Sequence, residues 1–208
     1  MMTAQILLYI HIAAGSLALA IGALAAVAKK GVKLHIMAGK VFVVSMAITA
    51  VSAIALSIIR PNPFLLGIGF FTGYLVSSGW IWARPIRVAQ RVRYARFVAL
   101  ASMAPAAYML YHALSHGFIN IIMLVFGGIL LSMAIPDAVR RKNPVSPIRL
   151  HAGRIGGAYI AAFTAFLTVN LEWGLLVWLG PTFVGAPLIF MATRMFDAKK
   201  KKASNGVK

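Results

Sequence analysis

The side chains in this sequence best suited to holding a cofactor are its five histidines. A b-type haem needs two imidazoles at similar depth on facing helices, one on each side of the ring. When the apolar segments are taken as membrane helices, His11, His112 and His116 lie toward the outer side, and His35 and His151 open helices at the inner side. The sequence therefore predicts two candidate haem sites. The outer one uses His11 with His112 or His116, and the inner one pairs His35 with His151.

Each of these histidines has an alternative role that needs no cofactor. An imidazole at a helix entry often bonds a lipid phosphate or a neighbouring carbonyl, and this interfacial role is favoured for His35, His151 and His116. His112 and His116 lie four residues apart and share a helical face, as two ligands of a metal ion would. No carboxylate nearby in the sequence completes such a site, so no metal centre is predicted.

Charged residues near the helices narrow the chemistry further. Lys40 and Arg154 follow the inner histidines within two helical turns. They can contact haem propionates or quinone oxygens, with lipid phosphate as the default partner. The three acids, Asp137, Glu172 and Asp197, all fall at predicted helix ends. The sequence thus lacks the mid-membrane carboxylate that ion-coupled transporters often carry, which disfavours that class.

The composition indicates that the bilayer is the solvent of this protein. Of its 208 residues, 61% are hydrophobic and only 12% are charged, with a mean hydropathy of +0.87. A soluble domain of this size is about a quarter charged. The absence of cysteine excludes disulfides, thiolate catalysis and iron–sulfur clusters. No motif identifies a catalytic reaction, so whether the protein is an enzyme is left undecided.

The apolar stretches predict an all-α polytopic transmembrane bundle. Crossing the hydrocarbon takes ~20 apolar residues. Seven segments qualify, at about 4–28, 37–59, 64–83, 96–116, 118–138, 151–171 and 174–195. Short connectors place them in one bundle over residues 1–198, with a polybasic tail at 199–208. No basic residue precedes the first segment, which is expected to be a membrane helix rather than a cleaved signal peptide.

The basic residues orient this bundle. Every Lys and Arg except Arg60 flanks the first, third or fifth connector or follows the last helix. The positive-inside rule then places the N-terminus outside the cell and the C-terminus in the cytoplasm. Because topology accounts for the net charge of +18, the expected partner is anionic lipid at the cytoplasmic face rather than nucleic acid. The oligomeric state is left open.

Two connectors carry a related pattern of a cation, Leu and His followed by a small residue and a second cation. The pattern occurs at Lys33-Leu34-His35 with Gly39-Lys40, and at Arg149-Leu150-His151 with Gly153-Arg154. Together with the segments Leu8 to Gly15, His151 to Leu167, Val169-Asn170, Pro181-Thr182 and Gly185 to Pro187, it resembles a family of uncharacterised bacterial membrane proteins. The resemblance implies the fold and the membrane location. It implies no activity.

Three functions stay open at this point. The histidine distribution favours a haem- or quinone-linked membrane electron carrier, with haem b as the cofactor. A small-solute transporter would use helices kinked at Pro105 in the fourth span and at Pro181 and Pro187 in the seventh. A non-catalytic accessory or scaffold protein would need only a compact helical bundle and a polybasic face.

Overall fold

The residues that the structure describes form seven α-helices, as the apolar segments predicted. The computed structural model describes residues 2–115, 121–142, 146–171 and 173–205, with side chains up to Met195. The helices are α1 Met2–Val27, α2 Lys33–Ile59, α3 Pro63–Ala83, α4 Val88–Ser115, α5 Ile121–Val139, α6 Pro147–Asn170 and α7 Leu175–Asn205. Each is long and apolar enough to cross a membrane, and no strand occurs among the described residues.

Local sequence signals account for several helix ends. The Asn62 side chain accepts a hydrogen bond of 2.9 Å from the Leu65 amide, and Pro63 opens α3 behind this cap. Gly31, between α1 and α2, and Gly174, before α7, adopt positive φ angles of 83° and 59°. Glycine tolerates such angles without steric penalty, which lets both connectors turn tightly.

Two helices extend past the predicted boundaries into basic sequence. α4 begins at Val88 rather than near 96, and α7 continues through the lysine run to Asn205. Arginine and lysine are good helix formers, although they lower the hydropathy from which a membrane span is predicted. Both helices therefore extend beyond their apolar segments at the charged end.

The helix α3 stands at the centre of the bundle and packs against α2, α4, α5 and α6. Half of the residues in the apolar stretch of α3 are buried, whereas only 6% are buried in that of α7. α7 lies at the edge and packs chiefly against α6. α2 and α6 each pack against both α1 and α3. The helices α1, α2, α3 and α6 therefore form a four-helix group. Within this group α2 and α6 stand at opposite corners, on one diagonal.

The two ends of the bundle differ in charge. The name basic end is used here for the end at which α1, α3 and α5 finish and α2, α4 and α6 begin. Its connectors carry Lys29, Lys30, Arg84, Arg87 and Arg141. The connector between α2 and α3, at the opposite end, contains Arg60.

The prolines inside the helices do not interrupt them. Pro105 lies within α4, and Pro181 and Pro187 lie within α7, yet both helices are continuous over their described lengths. Packing by neighbouring helices makes such prolines tolerable inside membrane segments. The broken seventh helix that a transport site would use is therefore not present in α7.

Candidate functional site at the basic end

A buried carboxylate, Asp137, is the centre of the polar contacts in the basic half of the bundle. It lies in the last turn of α5 and its side chain is 0% exposed. The Tyr74 hydroxyl on α3 donates a hydrogen bond of 2.9 Å to Asp137 Oδ2. Arg154 on α6 donates to the same oxygen at 3.1 Å and to the Met133 carbonyl at 3.2 Å. Three helices are thus joined by one carboxylate oxygen.

A second cation approaches the carboxylate from the other side. The Nε of Arg140 lies 3.5 Å from Asp137 Oδ1. This contact is an ion pair without a hydrogen bond, because neither Oδ1 nor that Nε has a hydrogen-bond partner among the described residues. The Arg140 guanidinium also lies 5.5 Å from the centre of the buried Trp82 ring. The carboxylate therefore faces two cations, only one of them hydrogen-bonded to it.

The position of Asp137 could not be read from its place in the sequence. Sequence analysis placed it at a helix end, where a carboxylate is normally hydrated. In the structure α3 and α6 cover that end, and the partner of Arg154 is Asp137 rather than a propionate or a lipid phosphate. The available signal was chemical: a charge beside 18 largely apolar residues of α5 needs a buried counter-ion.

His151 and Arg154 act together because they lie one turn apart on the same face of α6. The His151 Nδ1 donates a hydrogen bond of 3.0 Å to the Gly79 carbonyl on α3. A Cβ added at Gly79 would come within 2.9 Å of the Arg154 Cβ and 2.8 Å of Ile155 Cγ1. The absence of a side chain at Gly79 thus lets α6 approach closely enough for both contacts.

His35 makes the corresponding contact at the start of α2. Its Nδ1 donates a hydrogen bond of 3.0 Å to the Ala25 carbonyl in the last turn of α1. The Lys30 amine donates to the same carbonyl at 3.0 Å and also to the Ala26 carbonyl. Helix termini leave such carbonyls without intrahelical partners. Desolvation near these groups lowers the pKa of Lys30 from its usual value.

The inner histidine pair lies at the basic end of one helix group. His151 lies within electrostatic range of both His35 and Lys30. The two imidazoles come from the diagonal helices α2 and α6. Among the described residues neither His35 nor His151 has a hydrogen-bond partner on Nε2. Each ring is therefore held by Nδ1 and leaves its second nitrogen unengaged.

An aromatic contact joins α2 and α6 deeper in the bundle than the histidines. Phe42 and Tyr159 lie two turns along α2 and α6 from His35 and His151, roughly 11 Å deeper in the bundle. Their ring centres are 6.2 Å apart. A Cβ at Gly22 of α1 would come within 2.8 Å of both rings. The four-helix group is therefore tightly packed above the histidine pair.

The outer histidines are not brought together. His11 Nδ1 lies 3.1 Å from the Thr49 carbonyl and 3.0 Å from Ser52 Oγ, so it joins α1 to α2. His112 lies on α4, with its ring centre 6.0 Å from that of Tyr108. α1 packs against α2 and α6, whereas α4 packs against α3 and α5. The predicted pairing of His11 with His112 is therefore not formed, and His116 lies outside the described residues.

The remaining predicted residues lie away from this cluster. Lys40 is exposed on α2. Within the described part of the chain, no three His, Asp or Glu side chains converge as metal ligands. Glu172 lies outside the described residues, as does the side chain of Asp197.

Comparison with known proteins finds a family model that matches part of the chain. Residues 8–83 match the family described as Predicted membrane protein (DUF2306). The match begins within α1 and ends with α3, so it includes His35 and leaves out His151 and Arg154. Over these residues it confirms the resemblance to a membrane-protein family of unknown function. No curated protein matches the chain, and no solved structure matches it.

Proposed function

We propose that this multi-pass membrane protein, whose first three helices match a family of predicted membrane proteins, is a b-type haem electron carrier of the bacterial cytoplasmic membrane. His35 and His151 would hold the haem iron. The observation that carries the proposal is the convergence of these two imidazoles from the diagonal helices of a four-helix group, each with Nδ1 held by a main-chain carbonyl.

The hydrogen bonds of the two histidines suit metal ligation. An imidazole that donates Nδ1–H to a carbonyl keeps its lone pair on Nε2, which is the atom that binds iron. The same bond fixes the plane of the ring before the metal arrives. Ala25 and Gly79 supply these carbonyls from α1 and α3, the two helices that flank the diagonal. All four helices of the group thus take part in holding the ligands.

The surroundings also suit a dianionic porphyrin. Lys30 lies within electrostatic range of His151 and shares the Ala25 carbonyl with His35, and it is the proposed partner of a propionate. Arg154, the residue suggested by the sequence for that role, is occupied by Asp137. Phe42 and Tyr159 form the apolar boundary on the deeper side. Lys40, which is exposed, is assigned to lipid phosphate.

The positive-inside rule supports placing the basic end at the cytoplasmic surface. The haem would then lie in the inner leaflet, within reach of a membrane quinone or a soluble donor. The single-haem arrangement implies transfer at one face rather than conduction across the membrane, because His11 and His112 lie on helices that are not neighbours.

The test is a reduced-minus-oxidised visible spectrum of the full-length protein, purified from cells supplied with haem. The proposal expects an α-band in the wild type and its loss in His35→Ala and His151→Ala. His112→Ala, on α4, is the matched control and should keep the band. Absence of the band in the folded wild type, or its persistence when both inner histidines are replaced, would refute haem binding at this pair. Reduction by a quinol analogue then decides whether the donor is a quinone.

The other functions have weaker support in the geometry. A transporter built on α7 needs that helix to line a polar path through the membrane. α7 is continuous and packs chiefly on α6, and only 6% of the residues in its apolar stretch are buried. A scaffold role requires no cofactor, so a folded protein with no α-band and a stable bound partner would favour it.

A further inference from the structure

A separate cavity opens at the basic end, between the start of α4 and the end of α5. It has a volume of about 330 Å³ and is lined by Ala89, Val92, Arg93, Arg96, Arg140 and Arg141. The four residues from α4 follow an i, i+3, i+4, i+7 spacing and so belong to one helical face. The two arginines from the end of α5 face them.

The cavity holds more positive charge than the protein neutralises. Among the described residues, Arg93, Arg96 and Arg141 have no carboxylate or hydrogen-bond partner. Arg140 alone meets an acid, because Asp137 approaches it from inside the bundle. Four guanidinium groups around one opening repel each other unless an anion enters between them.

One of these arginines is fixed in place before any ligand binds. Arg140 stacks on the Trp82 ring at 5.5 Å and is paired with Asp137 at 3.5 Å. Such pre-organisation reduces the entropy that an arginine loses on binding an anion. Ala89 and Val92 supply an apolar floor beside the charges. The cavity therefore offers both a cationic ring and a small apolar contact.

From this geometry we infer that the cavity binds a phosphate-bearing anion. Arginine matches phosphate oxygens in bidentate hydrogen bonds, and several arginines can share one phosphate. The phosphate can belong to the headgroup of an anionic lipid or to a soluble phosphate ester. A basic pocket between membrane helices at a charged membrane surface is a typical site for a lipid phosphate. The site is separate from the histidine pair and does not depend on haem.

The test uses the full-length protein in detergent, titrated with phosphatidylglycerol, with bound lipid counted by native mass spectrometry. Arg93→Gln with Arg96→Gln removes two cavity charges and should weaken binding about 25-fold, at roughly fivefold for each arginine. Ala89→Trp fills the floor while keeping every charge, and should also reduce binding. Arg87→Gln removes a charge at the same end but outside the cavity, and should weaken binding less than the loss of one cavity arginine does.

The source of the phosphate is distinguished by competition. If inorganic phosphate at millimolar concentration displaces the lipid, the site accepts soluble phosphate esters as well. If it does not, the ligand is the lipid headgroup, and either result supports the cavity as an anion site. Equal effects of the Arg93 and Arg96 changes and of Arg87→Gln, or wild-type binding by Ala89→Trp, would overturn the inference in favour of diffuse surface charge. Unchanged melting temperatures show that the variants are folded.

Discussion

Asp137 Oδ2 and an Arg154 guanidinium nitrogen lie 3.1 Å apart, between α5 and α6, with both side chains withdrawn from solvent. A charge pair of this kind is expensive to break from one side, since the remaining ion has neither water nor a counter-ion. It is therefore a point at which stability and any charge-dependent function of the basic end can be measured together.

Replacing one partner of this pair should destabilise the protein strongly. Asp137→Ala and Arg154→Met are each expected to lower the free energy of unfolding by about 3–5 kcal/mol, as measured by denaturant unfolding in mixed micelles. The double variant should be more stable than the sum of the single losses predicts, because no unpaired charge remains between α5 and α6. Additive losses would show that the two residues are not coupled.

The hydroxyl of Tyr74 should contribute less than the ion pair. Tyr74→Phe removes its hydrogen bond to Asp137 while retaining the ring beside Arg154. We expect a loss of about 1–2 kcal/mol in the same unfolding measurement. Tyr159→Phe is the control, since its hydroxyl has no hydrogen bond among the described residues, and it should be close to neutral. A similar loss in both variants would contradict a specific role for the Tyr74 hydroxyl.

A methyl group at Gly79 should separate α3 from α6. The added Cβ would come within 2.9 Å of the Arg154 Cβ. Gly79→Ala is therefore expected to destabilise the protein by about 1–3 kcal/mol, seen as a lower melting temperature. Gly153→Ala, on the facing helix, places its Cβ in open space. Because alanine favours helix, it should be neutral or stabilising by up to about 1 kcal/mol. If Gly153→Ala were the more destabilising variant, Gly79 would not be the point at which α3 and α6 come closest.

His11 should act as a structural residue of α1 and α2. His11→Ala removes its contacts with Thr49 and Ser52 and is expected to lower stability by about 1 kcal/mol. It should leave the α-band proposed for the inner pair unchanged. A variant that keeps its wild-type stability but loses the band would move the haem site to the opposite end.

The proposed orientation of the chain predicts the activity of reporter fusions. Alkaline phosphatase, which folds only outside the cytoplasm, should be active when fused after Asn62 and inactive when fused after Gly31 or Lys142. This follows from the positive-inside rule, because the connectors that contain Gly31 and Lys142 carry the basic residues. High activity after Gly31 would reverse the assigned topology and place the basic end outside.

Hydropathy was sufficient to predict seven membrane helices, because the length of an apolar segment needs no knowledge of its neighbours. The length of an apolar segment does not mark where the helix itself begins. Arg91 and Arg93 lower the local hydropathy without opposing helix formation, so the helix begins at Val88.

The position of each histidine along its helix could be predicted from the sequence, but the helices that would lie next to it could not. The sequence predicted similar depths for His11 and His112, and for His35 and His151. Only His35 and His151 come from helices grouped around shared neighbours, whereas His11 and His112 lie on helices that do not pack together. Which helices are neighbours depends on close contacts at residues such as Gly79, and a hydropathy pattern does not contain that information.

The buried carboxylate also ties the fold to the order of translation. Tyr74 leaves the ribosome first, Asp137 follows 63 residues later, and Arg154 a further 17 residues on. α5 thus reaches the insertion channel before its hydrogen-bonding cation has been synthesised. An aspartate at the centre of a membrane helix disfavours insertion by about 2.5–3.5 kcal/mol, and the penalty for Asp137 is smaller because it lies in the last turn of α5. Release of α5 into lipid is therefore favoured once α6 has followed it, and a ribosome stalled between these two helices should keep α5 longer at the channel.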